Sequence, residues 1–151
     1  MSVIKGIAFL FAVFFMAGVQ AESGPVGLWK SIDEETGEPK SLVRIALVNG
    51  SLEGKIEKIF DPAKQNVTCQ LCEDNRRGKR VVGMTIIENV KQAEGESYWE
   101  GGTILDPQKG KTYRVRLAPQ EGGRKLQVRG YLGPFFRTQI WVREEGVSSA
   151  R

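Results

Sequence analysis

The stretch "KSLVRIALVNGSLEGKIEKI", Lys40 to Ile59, decides the fold class. Val43, Ile45 and Leu47 alternate with Arg44 and Ala46, and after Asn49-Gly50 the apolar set Leu52, Gly54, Ile56 alternates with Glu53, Lys55, Glu57. A period of two places one set on each face of a strand. Asn-Gly tolerates the positive φ of a two-residue type I′ turn, so the stretch predicts an antiparallel hairpin with one apolar and one charged face.

The same pattern continues outward in both directions, with no convincing 3.6-residue apolar period. "GLWKSI" (27–32) precedes the hairpin, which spans 40–48 and 51–59. After it come "RVVGMTII" (80–87), "SYWEGGTIL" (97–105, with a kink expected at Gly101-Gly102), "KTYRVRLA" (111–118), "RKLQVRGYL" (124–132) and "RTQIWVR" (137–143). That makes eight strands joined mostly by short turns. They share one apolar face, which closure of the sheet on itself would hide while removing both edges. The expected fold is all-β, an eight-stranded antiparallel up-and-down barrel. A two-sheet sandwich would need longer crossing connections. An outer-membrane barrel would need apolar lipid-facing rows, where this chain has Arg114/Arg116 and Glu53/Lys55/Glu57.

The N-terminus reads as a separate segment. Lys5 precedes an uncharged run from Gly6 to Val19, and Val19-Gln20-Ala21 ends in small or modest residues. This predicts a signal peptide over residues 1–21 and one domain over 22–151. The run is shorter than the roughly 20 residues a membrane-spanning helix needs. The expected location is the periplasm, with no transmembrane span in the mature chain. Loss of Lys5 would lower the formal charge of +4 by one unit. So mild a charge gives little reason to propose a nucleic-acid partner.

"NVTCQLCEDNRRGKR" (66–80) holds both cysteines. A thioredoxin-like site would place Cys69-x-x-Cys72 at a helix start in a βαβ unit, and neither the glycine at 78 nor the surroundings suit that. A structural zinc would need two further soft ligands, and the chain has no histidine and no third cysteine. Export permits disulfides, so the favoured reading is a Cys69–Cys72 staple on a surface loop. No metal or cofactor is expected. Arg76, Arg77, Lys79 and Arg80 read either as a solvated loop or as a cationic rim for acidic headgroups or envelope polyanions.

Absence of histidine also excludes a Ser-His-Asp triad and any histidine base. Asp61 and Asp106 precede prolines and read as turn residues. Glu100, beside Trp99, is a more interesting carboxylate, but no convincing catalytic pair assembles. No enzyme is expected. The residues suited to line a binding site are Trp99, Tyr113, Tyr131, Phe135, Phe136 and Trp141.

The blocks "GLWKS", "GSLEGKIEKI", "CQLCEDNRRGKRVVGMTII", "YWEGGTILDPQKGKTYRVRL" and "LQVRGYLGPFFRTQIWVR", in that order, resemble the DUF2147 family of exported bacterial proteins. The resemblance covers Gly27 to Arg143 and implies export and a lipocalin-like barrel, with no assigned activity. Gly27-Leu28-Trp29 is also similar to the Gly-x-Trp of lipocalins. In lipocalins an arginine near the last strand packs across that tryptophan and closes the barrel base. Arg137 and Arg143 both suit that role here. The leading functional expectation is non-catalytic binding of a small apolar or amphipathic ligand. The alternatives are a packed barrel with an envelope protein partner, and a thiol-disulfide protein using Cys69/Cys72.

Overall fold

A computed structural model describes residues 23–146; the expected signal peptide over residues 1–21 lies outside them. The strands are β1 (Gly27–Ile32), β2 (Pro39–Val48), β3 (Ser51–Ile59), β4 (Thr85–Gln92), β5 (Trp99–Asp106), β6 (Lys111–Gln120), β7 (Lys125–Leu132) and β8 (Phe135–Arg143). Each pairs antiparallel with the next, and β8 returns to β1 to close an eight-stranded barrel in sequence order. The expected fold class is the observed one.

The Asn49-Gly50 hairpin forms as its residues dictate. Val48 pairs with Ser51 across Asn49 (φ 50°) and Gly50 (φ 81°), a two-residue turn whose positive φ values match the strands' twist. Val43, Ile45, Leu52 and Ile56 are buried, while Arg44 and Glu57 form an ion pair on the outer face. Leu47 keeps the inward parity but is exposed beside the turn. Gly54 is inward because there is no room for more: a Cβ there would lie 2.8 Å from Ile87 Cδ1, and Ile87 is fully buried.

Most strand bounds differ from the sequence reading by one or two residues, and the fourth strand differs most. The fourth strand, expected over 80–87, begins at Thr85 and runs to Gln92. Val81 and Met84 are buried but belong to the long connection after β3. There the Ile56 N–H donates to Met84 O (3.0 Å) and the Gly83 N–H donates to Ile56 O (2.7 Å). An apolar run records burial, and this loop is buried and its backbone bonds to β3 at Ile56, without continuing as a strand. The kink at Gly101-Gly102 is a β-bulge, with the β5–β6 register shifting between Trp99 and Gly102.

The two ends of the barrel differ. Asn49-Gly50, the 93–98 turn and Glu121–Gly123 lie at one end, the base. The β1–β2 turn, the 60–84 connection, the β5–β6 turn and Gly133-Pro134 lie at the other, the mouth. β1 meets β8 through Trp29↔Arg143 and Lys30↔Val142, near the base.

Candidate functional site

The base is sealed around Trp29, which is completely buried and donates its indole N–H to Pro25 O at 2.8 Å. The Arg143 guanidinium lies 4.2 Å from the centre of that ring. It also donates to three carbonyls: Gly123 O (2.6 Å), Gly24 O (2.6 Å) and Val26 O (2.9 Å). A planar five-donor cation can cover an aromatic face and tie several chain segments together. Gly27 opens β1 opposite Ile45. Arg137, the other candidate for covering Trp29, is at the opposite end. It sits on β8 across from Gly130 and pairs with Glu34 of the β1–β2 turn at the mouth. Six residues of extended strand separate the two arginines by about 20 Å.

Above the base the barrel is hollow. A cavity of about 870 Å³ opens at the mouth. Its apolar lining includes Val43, Ile56, Ile86, Val128 and Trp141, all buried from outside solvent. One side is polar but uncharged. The Ser31 and Ser41 hydroxyls are 2.6 Å apart, and Gln139 Oε1 accepts from the Trp141 indole at 3.1 Å. That bond turns the Gln139 amide N–H₂ away from Trp141. Charge is confined to the rim, where Lys40 Nζ donates across the opening to Gln108 Oε1 at 2.9 Å.

Of the aromatic residues read as lining, Tyr113, Phe135, Phe136 and Trp141 border the cavity. Trp99 and Tyr131 do not. Trp99 pairs with Gln92 and Leu117 toward the base and packs half-buried on the core. Tyr131 faces outward, because Leu126, Val128 and Gly130 take the inward parity of β7. It lies beneath the Arg114 guanidinium and 6.2 Å from the Phe136 ring. Ser31, Ser41 and Gln139 were missed by sequence reasoning. Gln139 shared a face with Trp141 by parity, and that signal was available. The serine pair needed the β1–β2 register, Ser31↔Ser41.

The cysteines are disulfide-bonded and almost fully buried in the core. Their loop forms part of the cavity wall through Val67, Thr68, Gln70 and Leu71. It docks on the β5–β6 turn so closely that a Cβ on Gly110 (φ 65°) would lie 2.0 Å from Leu71 O. The staple therefore shapes the mouth. The basic run behind it is tied inward in part. Arg76 pairs with Asp74 (2.6 Å) and Glu88 (3.4 Å) and donates to Thr85 O, and Arg80 donates to Gln65 O. Arg76, first through its side chain and then through its backbone N–H, holds the Asp74 carboxyl below the usual value.

The carboxylates are occupied structurally. Asp106 accepts from the N–H of Gln108 (3.0 Å), and Asp61 from that of Ala63 (2.9 Å). Glu100 accepts from Arg116 on the outer face at 2.8 Å. Among the described residues no group of three or more His, Cys, Asp or Glu could hold a metal ion, and no helix is long and apolar enough to cross a membrane.

A closed eight-stranded antiparallel barrel with a sealed base and a hollow, open mouth is a lipocalin-like barrel, with a cavity of ligand size. The chain belongs to the family described as "Uncharacterized protein conserved in bacteria (DUF2147)", which matches residues 27–143. Among solved structures it is similar to protein HP1028 from the human pathogen Helicobacter pylori, described as belonging to the lipocalin family. The two are 21% identical, with a TM-score of 0.67 over 80% of this chain and 82% of that one. No curated protein matches the chain.

Proposed function

We propose that this is a non-catalytic, exported binding protein that carries a small apolar or amphipathic molecule in its barrel, in the periplasm. The observation that carries the reading is the cavity of about 870 Å³, within the range of small-molecule sites and mostly apolar with a few convergent polar groups. A tail would lie against Val43, Ile56, Val128 and Trp141, with a hydrogen-bonding group reaching Gln139 and the Ser31–Ser41 pair. The absence of charge deep in the barrel favours a ligand whose buried part is neutral. A chain without histidine, whose mouth carboxylates cap turns, offers little for general acid–base chemistry. The hollow interior weighs against a packed structural barrel. Burial of both cysteines weighs against a thiol-disulfide exchanger, which needs an accessible sulfur.

The test is native mass spectrometry of the protein isolated from its own host, followed by denaturation and identification of what is released. A stoichiometric amphiphile is expected, together with uptake of the apolar dye N-phenyl-1-naphthylamine by emptied protein. Gly130→Leu should weaken uptake, because its side chain would enter the cavity beside Tyr113, whose Cβ is 3.4 Å from the new Cβ. A protein that is empty as isolated and takes up no dye would refute the proposal. Dye uptake unchanged by Gly130→Leu would also refute it.

A further inference from the structure

The outer face of β6–β8 and the tip of the β7–β8 hairpin form a surface that the ligand cavity does not explain. These three strands contain no aspartate or glutamate, yet carry arginine or lysine throughout. Cross-strand register aligns Arg114, Tyr131 and Phe136 in one outward row and Arg116, Arg129 and Thr138 in the next. Arg116 is matched by Glu100 of β5. Arg114 and Arg129 have no carboxylate within ion-pair distance among the described residues. Arg114 lies over Tyr131 (5.7 Å), and Arg129 lies over Phe136 (4.8 Å) while donating to the Thr138 hydroxyl.

Beyond this cationic face, the mouth exposes large apolar side chains. Phe135 is 75% exposed, Phe136 63%, Leu71 61% and Leu132 51%. All four border the cavity opening. Aromatic and aliphatic groups above guanidinium groups are the arrangement that an anionic lipid surface accommodates. The spacing agrees. Arg129 is three residues below Leu132, so its row lies about 10 Å from the tip, and the Arg114 row about 3 Å. The headgroup layer of one leaflet is about 5–8 Å thick. With the tip at the acyl boundary, the two arginines bracket the phosphates. Of the mouth's acidic residues, Asp33, Glu34, Glu35 and Glu38 lie on the β1–β2 turn, across the β8–β1 seam, with Glu34 paired to Arg137, while Asp61 and Asp106 accept backbone N–H groups of their own turns.

We propose that this protein docks on anionic phospholipid bilayers through the β7–β8 tip and the Arg114/Arg129 face, with the barrel tilted onto its β6–β8 side and its mouth against the lipid. The surface does not depend on what the cavity holds. In the carrier reading it would let a ligand pass between bilayer and barrel without crossing water.

The test uses the full chain, purified as its host processes it, carrying Phe135→Trp as a reporter at the tip. Vesicles of phosphatidylcholine and phosphatidylglycerol in equal amounts should shift the emission to the blue, and brominated acyl chains should quench it, in both cases beyond the change seen in the parent chain, whose Trp29, Trp99 and Trp141 set the background. A reporter at the tip does not register an association made by the N-terminal segment alone. Arg114→Gln with Arg129→Gln should weaken binding about 25-fold at low salt, at about fivefold per arginine. The charge-matched control Lys55→Gln with Lys91→Gln, on exposed positions of β3 and β4, should change it less than about twofold. No shift or quenching with the anionic vesicles would overturn the proposal. So would equal binding to pure phosphatidylcholine, equal weakening by the control pair, or a shift of the same size with heparin in place of lipid. Empty barrels that still bind vesicles would leave docking standing while the carrier reading falls.

Discussion

Replacing Arg143 by methionine should cost this barrel about 4 kcal/mol, whereas the same change at Arg137 should cost at most about 1 kcal/mol. Methionine keeps the aliphatic bulk against Trp29 and removes the guanidinium. Arg143 loses two part-buried bonds, to Gly123 O and Gly24 O, each worth about 1.5 kcal/mol as a charged donor to a carbonyl. It also loses its stacking on the Trp29 ring, about 1 kcal/mol. The third acceptor, Val26 O, is exposed and can turn to water, so it adds little. Arg137 and Glu34 have side chains 57% and 40% exposed, and an ion pair so screened contributes little. The assay is urea unfolding followed by tryptophan fluorescence, with the slope m held as a check that only stability changed. On a domain stable by about 5–15 kcal/mol, the Arg143 variant should also melt roughly 10–15 °C lower. Equal losses at the two positions, or a loss below about 1.5 kcal/mol at Arg143, would refute the assignment of the base seal.

Gly102→Ala should destabilise by about 3 kcal/mol or prevent folding, because its Cβ would lie 2.1 Å from Glu88 O and 2.6 Å from Asn89 C, backbone atoms that cannot move aside. Gly101→Ala meets no atom within 4 Å and should cost about 1–2 kcal/mol, from its φ of 83° alone; urea midpoints compare the two. Dithiothreitol without denaturant should leave the Cys69–Cys72 bond intact for hours by thiol-labelling mass spectrometry, since both sulfurs are in the core, and reduction should follow once urea opens the loop. Stability should be nearly flat from about pH 6 to 8, because the chain has no histidine to titrate there. It should fall in acid. Backbone N–H groups of Thr36 and Glu35 lower the Asp33 carboxyl, Arg76 lowers Asp74 and Lys125 lowers Glu121. A carboxyl lowered in the folded state stabilises above its unfolded value and loses that contribution as pH drops through the folded one. Urea midpoints should therefore decline below the ordinary values of 3.8 for Asp33 and Asp74 and 4.5 for Glu121.

The sequence by itself determined that eight strands follow one another with one apolar face each, and made closure the expected way to bury it. A period of two sets which face is apolar, Asn49-Gly50 sets a register, and eight such strands in tight succession leave a barrel as the economical way to bury one face. Parity along β7 also carries the signal that Val128 and Gly130 face in and Tyr131 out, against the reading of Tyr131 as a lining residue, because parity is a local property of the chain. Three things were decided only by the tertiary structure. Whether Arg137 or Arg143 covers Trp29 depends on which residue of β8 meets β1, a contact between the two ends of the barrel that no local pattern encodes. Val81 and Met84 looked like strand and proved to be buried loop, because hydrophobicity reports burial and not hydrogen-bond partners. The hollow itself is a balance of volumes. Ser31, Ser41, Gly130 and Gln139 are small or polar where the mouth half of the barrel needed bulk to fill it, and they come together only once β1, β2, β7 and β8 lie side by side.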